Sequence, residues 1–84
     1  MAVVLLPGLL ATEAGGRKEF DLDVATVGEA LRALPVRDLL LDEGGEVRPL
    51  VNVFVDGQRA RDLEAAVTAA SQIRIVAAIA GGEL

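Results

Sequence analysis

Two glycines stand where this chain could do chemistry, in Ala80-Gly81-Gly82-Glu83-Leu84, just after its last hydrophobic segment. Glycine has no Cβ, so another protein's backbone can close on both faces of such a pair. A slim peptide of this kind can carry an acyl group into a narrow active site elsewhere. If the Gly82 carboxyl is that group, Glu83 and Leu84 mask it in a peptide bond. The rest of the composition points away from chemistry done by the chain itself. It has no His, Cys, Tyr or Trp, and Ser71 is its single serine. A Ser-His-Asp triad or a histidine or thiolate metal site cannot be assembled from these residues. Carboxylates are plentiful, but 84 residues leave little room for a cleft that pairs them. The chain is therefore not expected to be a self-contained enzyme.

The elements that must hold this tail fill one small domain. The hydrophobic fraction is 52%, ample for one core and too high for a disordered chain. The absence of cysteine fits a reducing compartment. No stretch is long enough to span a bilayer. The apolar start, Met1 to Leu6, lacks the basic flank of a signal peptide. These features place the chain in the cytoplasm, with no membrane partner. The net charge of −5, from 8 basic and 13 acidic residues, argues against nucleic acid and favours a basic protein partner.

Val3 to Leu6 reads as a short buried strand ended by Pro7-Gly8. Residues 9–16 read as a loop closing on Gly15-Gly16, with Leu9 and Leu10 tucked in. Glu19 to Val24 alternates polar and apolar, the period of a half-buried strand facing Phe20, Leu22 and Val24 inward. The first two strands should form a hairpin. Thr26-Val27-Gly28-Glu29 reads as a capping box, with Val27, Ala30, Leu31 and Leu34 following at helical spacing. Pro35 should end that helix. Leu39 to Leu41 suggests a further helical turn before Gly44-Gly45. Leu50 to Val55 is a third strand, Asp56-Gly57 a hairpin turn and Gln58 to Arg61 a short return strand. Residues 62–71 should hold a turn or short helix, and Ile73 to Val76 the last strand. The order predicts an α+β roll: a mixed sheet of four to five strands packed on one main helix. The domain should span residues 1–78, with a flexible tail over 79–84.

In this order the chain resembles the small ubiquitin-like sulfur carriers of the MoaD and ThiS type, which share the β-grasp fold. The resemblance rests on Leu6-Pro7-Gly8, Gly15-Gly16-Arg17, Thr26 to Leu31, Val51 to Gly57 and Ala78-Ile79-Ala80-Gly81-Gly82. It implies that an E1-like activating enzyme of the MoeB/ThiF type uses ATP to adenylate the terminal glycine carboxylate, here that of Gly82. The acyl-adenylate becomes a thiocarboxylate that a synthase consumes. The carrier itself binds no cofactor, and Ile79, Ala80 and Gly81 form the thread. Two departures stand out. The family's Gly-Asp-acid-Val turn is replaced by Ala70-Ser71-Gln72-Ile73, so that turn must be built differently. Glu83-Leu84 follow the glycine pair, which implies trimming at this site by a peptidase, of the JAMM type on the family pattern.

If Val51, Val53 and Val55 face the helix, Phe54 points outward, and the same alternation turns Arg74 and Val76 outward. Phe54 beside Val76 then makes a partner-docking patch, on the sheet face that ubiquitin-like proteins use. Arg59, Arg61 and Arg74 read as a basic cluster near the tail or, preferably, as solvated sheet edges. Glu19, Asp21 and Asp23 read as a solvated face and not as a metal site. Three other functions fit the sequence: the small subunit of a molybdopterin-synthase-like complex, a protein modifier conjugated through Gly82, and a β-grasp binding module with an inert tail.

Overall fold

The computed structural model describes residues 1–60 and 62–77. Within them the chain forms β1 (Ala2–Leu5), α1 (Gly8–Glu13), β2 (Glu19–Leu22), α2 (Val27–Ala33), α3 (Arg37–Leu40), β3 (Val51–Val55), β4 (Gln58–Ala60) and β5 (Gln72–Ala77). The five strands make one sheet in the order β2-β1-β5-β3-β4. β1 and β5 run parallel at its centre, and every other pair is antiparallel. This is the mixed, helix-packed sheet that the sequence predicts, with all five strands present. The proposed boundary at residue 78 lies outside the described residues.

The core fills the space between the sheet and α2. Ala30, Leu31, Val4 and Ile73 are fully enclosed, and Val27, Val53 and Ile75 nearly so. Each of these Val, Leu and Ile side chains stabilises the fold by about 1.5–3 kcal/mol through removal of apolar surface from water. Period-2 burial on β5 and helical-period burial on α2 meet here, which is why the sequence pattern located both elements.

The start of α2 shows how its exposed donors are satisfied. Glu29 N–H donates to Thr26 Oγ1 at 3.2 Å, as a capping box requires. The Glu29 carboxylate accepts from Ala25 N–H at 2.8 Å, one residue earlier than expected. Val27 N–H donates to the Ala65 carbonyl and Gly28 N–H to the Leu63 carbonyl. The 62–71 segment thus spends its carbonyls on the helix N-terminus, and it forms turns instead of a helix of its own.

Two further local expectations are corrected. The segment read as a loop over 9–16 opens as α1, whose first turn closes with Ala11 N–H donating to the Pro7 carbonyl at 2.9 Å. Pro7 supplies a pre-set φ of −70° ahead of it. Leu10 is buried, but Leu9 lies on the outer side of this short helix and is exposed. The glycines close the segment as expected: Gly15 and Gly16 have φ of +82° and +89°.

The departure before the last strand also has its explanation. Thr68 N–H donates to Ser71 Oγ at 2.9 Å, and Ser71 N–H donates to the Thr68 carbonyl. A serine–threonine turn replaces the glycine turn. Ser71 is the one buried polar residue among those described, and its carbonyl accepts from Val3 N–H on β1. The Asp56-Gly57 turn has φ of +52° and +86°, the left-handed pair of a type I′ hairpin. Its Asp56 carboxylate accepts from Gln72 N–H at 2.9 Å, which ties the β3–β4 hairpin to the start of β5.

Candidate functional site

β5 is the element that carries the chain toward its tail, and it sits at the centre of the sheet. Ile73 and Ile75 are buried under α2, whereas Gln72, Arg74 and Val76 are exposed on the opposite face. The outward alternation expected for Arg74 and Val76 is therefore present. Phe54 also lies on the outer face but is half-buried, more covered than a lone exposed aromatic. Its partners across the ladder are Arg74 on β5 and Arg59 on β4. Val76 is opposite Asn52, so Val76 meets Phe54 on the diagonal, within reach of an aromatic ring but not face to face.

The same face carries a charge gradient. Arg74 pairs in register with Leu5 of β1, and Leu5 with Glu19 of β2. Asp21 follows opposite Val3. From β4 to β2 the row therefore reads Arg59, Phe54, Arg74, Leu5, Glu19: basic around the aromatic and acidic at the far edge. Glu19 and Asp21 are exposed on that edge and stand on the same face as the docking candidates. Among the described residues, no three acidic groups come together as metal ligands. Of the three arginines, Arg59 and Arg74 flank Phe54, and Arg61 lies outside the described residues.

Ile79, Ala80, Gly81, Gly82, Glu83 and Leu84 also lie outside the described residues. The described strand ends at Ala77, opposite Val51, the first residue of β3. β5 therefore ends at one edge of the β3 ladder, next to the outer-face pair of Val76 and Asn52. At this end the structure also places Leu9, Leu39 and Leu50 around an apolar groove. Sequence reasoning missed it because the three leucines come from α1, α3 and the loop before β3, far apart in the chain.

The sequence model of the ThiS family matches residues 4–82. The chain belongs to the ThiS family. The match covers nearly the whole chain and ends at Gly82, leaving Glu83 and Leu84 outside it. No curated protein sequence matches the chain. Among solved structures, SAMP1 from Haloferax volcanii is 29% identical, with a TM-score of 0.81 over 96% of this chain and 98% of that one. A chain of the Amycolatopsis orientalis BexX/CysO complex is 28% identical, with a TM-score of 0.82 over 98% of this chain and 100% of its own. Mycobacterium tuberculosis CysO, at 22% identity and a TM-score of 0.83 over 94% of this chain and 100% of that one, shares the fold. The five-stranded roll of this ThiS-family chain is thus the β-grasp fold of ubiquitin-like sulfur carriers. No helix among the described residues is long and apolar enough to cross a membrane.

Proposed function

We propose that this chain is a sulfur carrier whose reacting atom is the carboxyl carbon of Gly82. A peptide bond after Gly82 blocks the reaction, so a peptidase, of the JAMM type on the family pattern, first hydrolyses Gly82–Glu83. An E1-like activating enzyme of the MoeB/ThiF type then binds ATP and the tail. A Gly82 carboxylate oxygen attacks the α-phosphorus, pyrophosphate leaves, and an acyl-adenylate forms. A sulfur nucleophile attacks the acyl carbon, AMP departs with the shared oxygen, and a thiocarboxylate remains once the sulfur is released from its donor. A sulfur-accepting synthase takes the sulfur and returns the carboxylate. Because activation consumes ATP, we assign the protein to the cytoplasm.

The observation that carries this reading is the family match that runs to Gly82 and stops there. The residue types agree with it. Gly81 and Gly82 present no Cβ to a narrow channel, and approach of the sulfur to the acyl carbon needs that clearance. The chain's part is positioning. Phe54, Arg74 and Val76 form the docking face, with Arg59 beside them, and the tail enters the partner from its edge. The BexX/CysO complex supports a partner protein for a chain of this shape.

Intact mass spectrometry tests the reading. The chain ending at Gly82 and the chain carrying Glu83-Leu84 are each incubated with ATP, the activating enzyme and a sulfide source. The mass of a sulfur-for-oxygen exchange should appear only on the chain ending at Gly82. Adenylation of the longer chain, or no exchange on either, overturns the proposal. A second reading, conjugation to other proteins through Gly82, draws support from the likeness to a small archaeal modifier protein. It predicts added mass on lysines of other proteins in the same mixture.

A further inference from the structure

Arg48 and Arg59 meet at a cleft on the β4 side of the sheet that the reaction above does not use. Its volume is about 190 Å³. The described pairing of β4 with β3 ends at Ala60 and Val53. The cleft lies beside Val51 and Asn52, the β3 residues just past that point. Arg48, Arg59 and Asn52 bring hydrogen-bond donors to it, and the other walls are aliphatic, among them Pro49 and Val51. No aspartate or glutamate is among the lining residues, in a chain of 13 acidic and 8 basic residues. Two arginines converging without a carboxylate between them leave a local positive potential that an anion would neutralise.

Arg48 is held in place before any ligand arrives. Its N–H donates to the Leu40 carbonyl and its own carbonyl accepts from Val51 N–H, both at 2.9 Å. Its Nε donates to the Asp38 carbonyl at 3.1 Å. One donor of the guanidinium is thus spent on positioning, and among the described residues both Nη groups are left for a ligand. An arginine that is already oriented loses less rotamer freedom on binding. Arg59 is set by its register opposite Phe54, so it stands between the outer-face patch and the cleft.

Size and lining say what fits. Small-molecule sites usually measure about 300–1,000 Å³, so this one takes a single side chain or a small ion. A free phosphate needs donors on all sides, and aliphatic walls withhold them. A carboxylate on a short methylene stem suits both parts, with the stem against Pro49 and Val51 and the oxygens on the arginine forks. We propose that the cleft binds a glutamate side chain of a protein partner that docks across the β4 edge. This contact extends the outer face beyond Phe54. It stands independently of the sulfur-carrier reading, because it needs neither ATP nor a reactive Gly82.

The test titrates the isotope-labelled full chain with N-acetyl glutamate N-methylamide, which carries the side chain without the charges of a free amino acid. At constant ionic strength, saturable nuclear magnetic resonance shifts should arise in the Nε–H signals of Arg48 and Arg59 and in the Asn52 amide. The matching glutamine compound, which lacks the charge, should cause none. Arg48→Gln and Arg59→Gln should each weaken binding about fivefold, the upper range for one exposed charge pair. Arg17→Gln, an equal loss of charge away from the cleft, should leave binding as it was. Unfolding midpoints check that the variants keep the fold, and Arg59→Gln carries the test alone if Arg48→Gln, which loses the bond to Asp38, does not. Absence of shifts, equal shifts with the glutamine compound, or equal weakening by Arg17→Gln overturns the proposal. Tighter binding of inorganic phosphate or of free glutamate would assign the cleft to a free anion, and either result also overturns it.

Discussion

Arg74 and Ile75 are neighbours in the chain and belong to different surfaces. Ile75 is enclosed under α2, while Arg74 lies on the open face of the sheet, in register with Phe54 and Leu5. One central strand thus supplies both the core and the docking face proposed above. The inner side is apolar throughout, and its stability follows from the area it removes from water. The outer side is mixed: a half-buried aromatic between two arginines, with acidic residues at the β2 edge. That composition contributes little to folding and, on the docking role proposed above, serves to tell one partner from another. The two faces should therefore fail in different assays.

The largest contrast is in stability. Ile75→Ala leaves a cavity in a core closed on all sides and should cost about 2–5 kcal/mol. Val76→Ala, one residue on, removes an exposed side chain and should stay within about 0.5 kcal/mol. Denaturant unfolding of both variants measures the difference. Equal losses would break the division of β5 into a folding face and a recognition face.

Binding reverses the order. Phe54→Glu places a carboxylate between Arg59 and Arg74, in a protein that is already acidic. It should weaken association with the activating enzyme by about tenfold or more, the range of a central aromatic anchor. The basic pair Arg59 and Arg74 calls for an acidic contact patch on the partner whatever the chain's net charge favours at long range, so Arg74→Glu should act mainly on the association rate, with the deficit shrinking as salt is raised. Calorimetry and stopped-flow association read the two effects. If Phe54→Glu binds unchanged while still folded, the outer face is not the docking surface, and the contrast with the core loses its functional half.

How much of this is legible in the sequence depends on range. The capping box, the Asp56-Gly57 turn and the alternation of β5 are patterns within a few residues, and all three appear in the fold. Residues 9–13 read as loop because the Gly8 and Gly15-Gly16 punctuation outweighs a run of good helix formers between them. Ser71 is visible only as an absence of chemistry. Its actual task, closing the turn with Thr68 and accepting from Val3, depends on a strand at the other end of the chain. The groove of Leu9, Leu39 and Leu50 is invisible for the same reason, since nothing local links α1, α3 and the approach to β3. The proposed reactive end reads from Gly81-Gly82 and from the strand order leading to it, and the family match extends as far as Gly82.

The capping box lies on the core side of the comparison and gives it a finer scale. Thr26→Ala removes the acceptor of the Glu29 N–H, while the Val27 and Gly28 donors keep their carbonyl partners on the 62–71 segment. The loss should be about 1 kcal/mol. Thermal unfolding checks it, and enzyme binding at a temperature where the variant is folded should not change. A larger loss would mean that the cap also holds the 62–71 segment in place.

The smallest effect separates the arginines themselves. Arg17 has its guanidinium 4.6 Å from the centroid of Phe20, and its Nε donates to the Glu19 carbonyl. Phe20 faces the core side, in register with Val4, so Arg17 acts as a lid on the hydrophobic edge. Arg74 and Arg59 instead flank an aromatic on the open face. Arg17→Ala should lower stability by about 0.5 kcal/mol, the size of an exposed cation–π contact, and leave association with the activating enzyme as it was. Arg74→Ala should do the converse. Chemical unfolding and association kinetics on the same two proteins give a crossed result if the faces are distinct. A shared response would mean that charge alone, and not the side of the sheet, decides what an arginine does here.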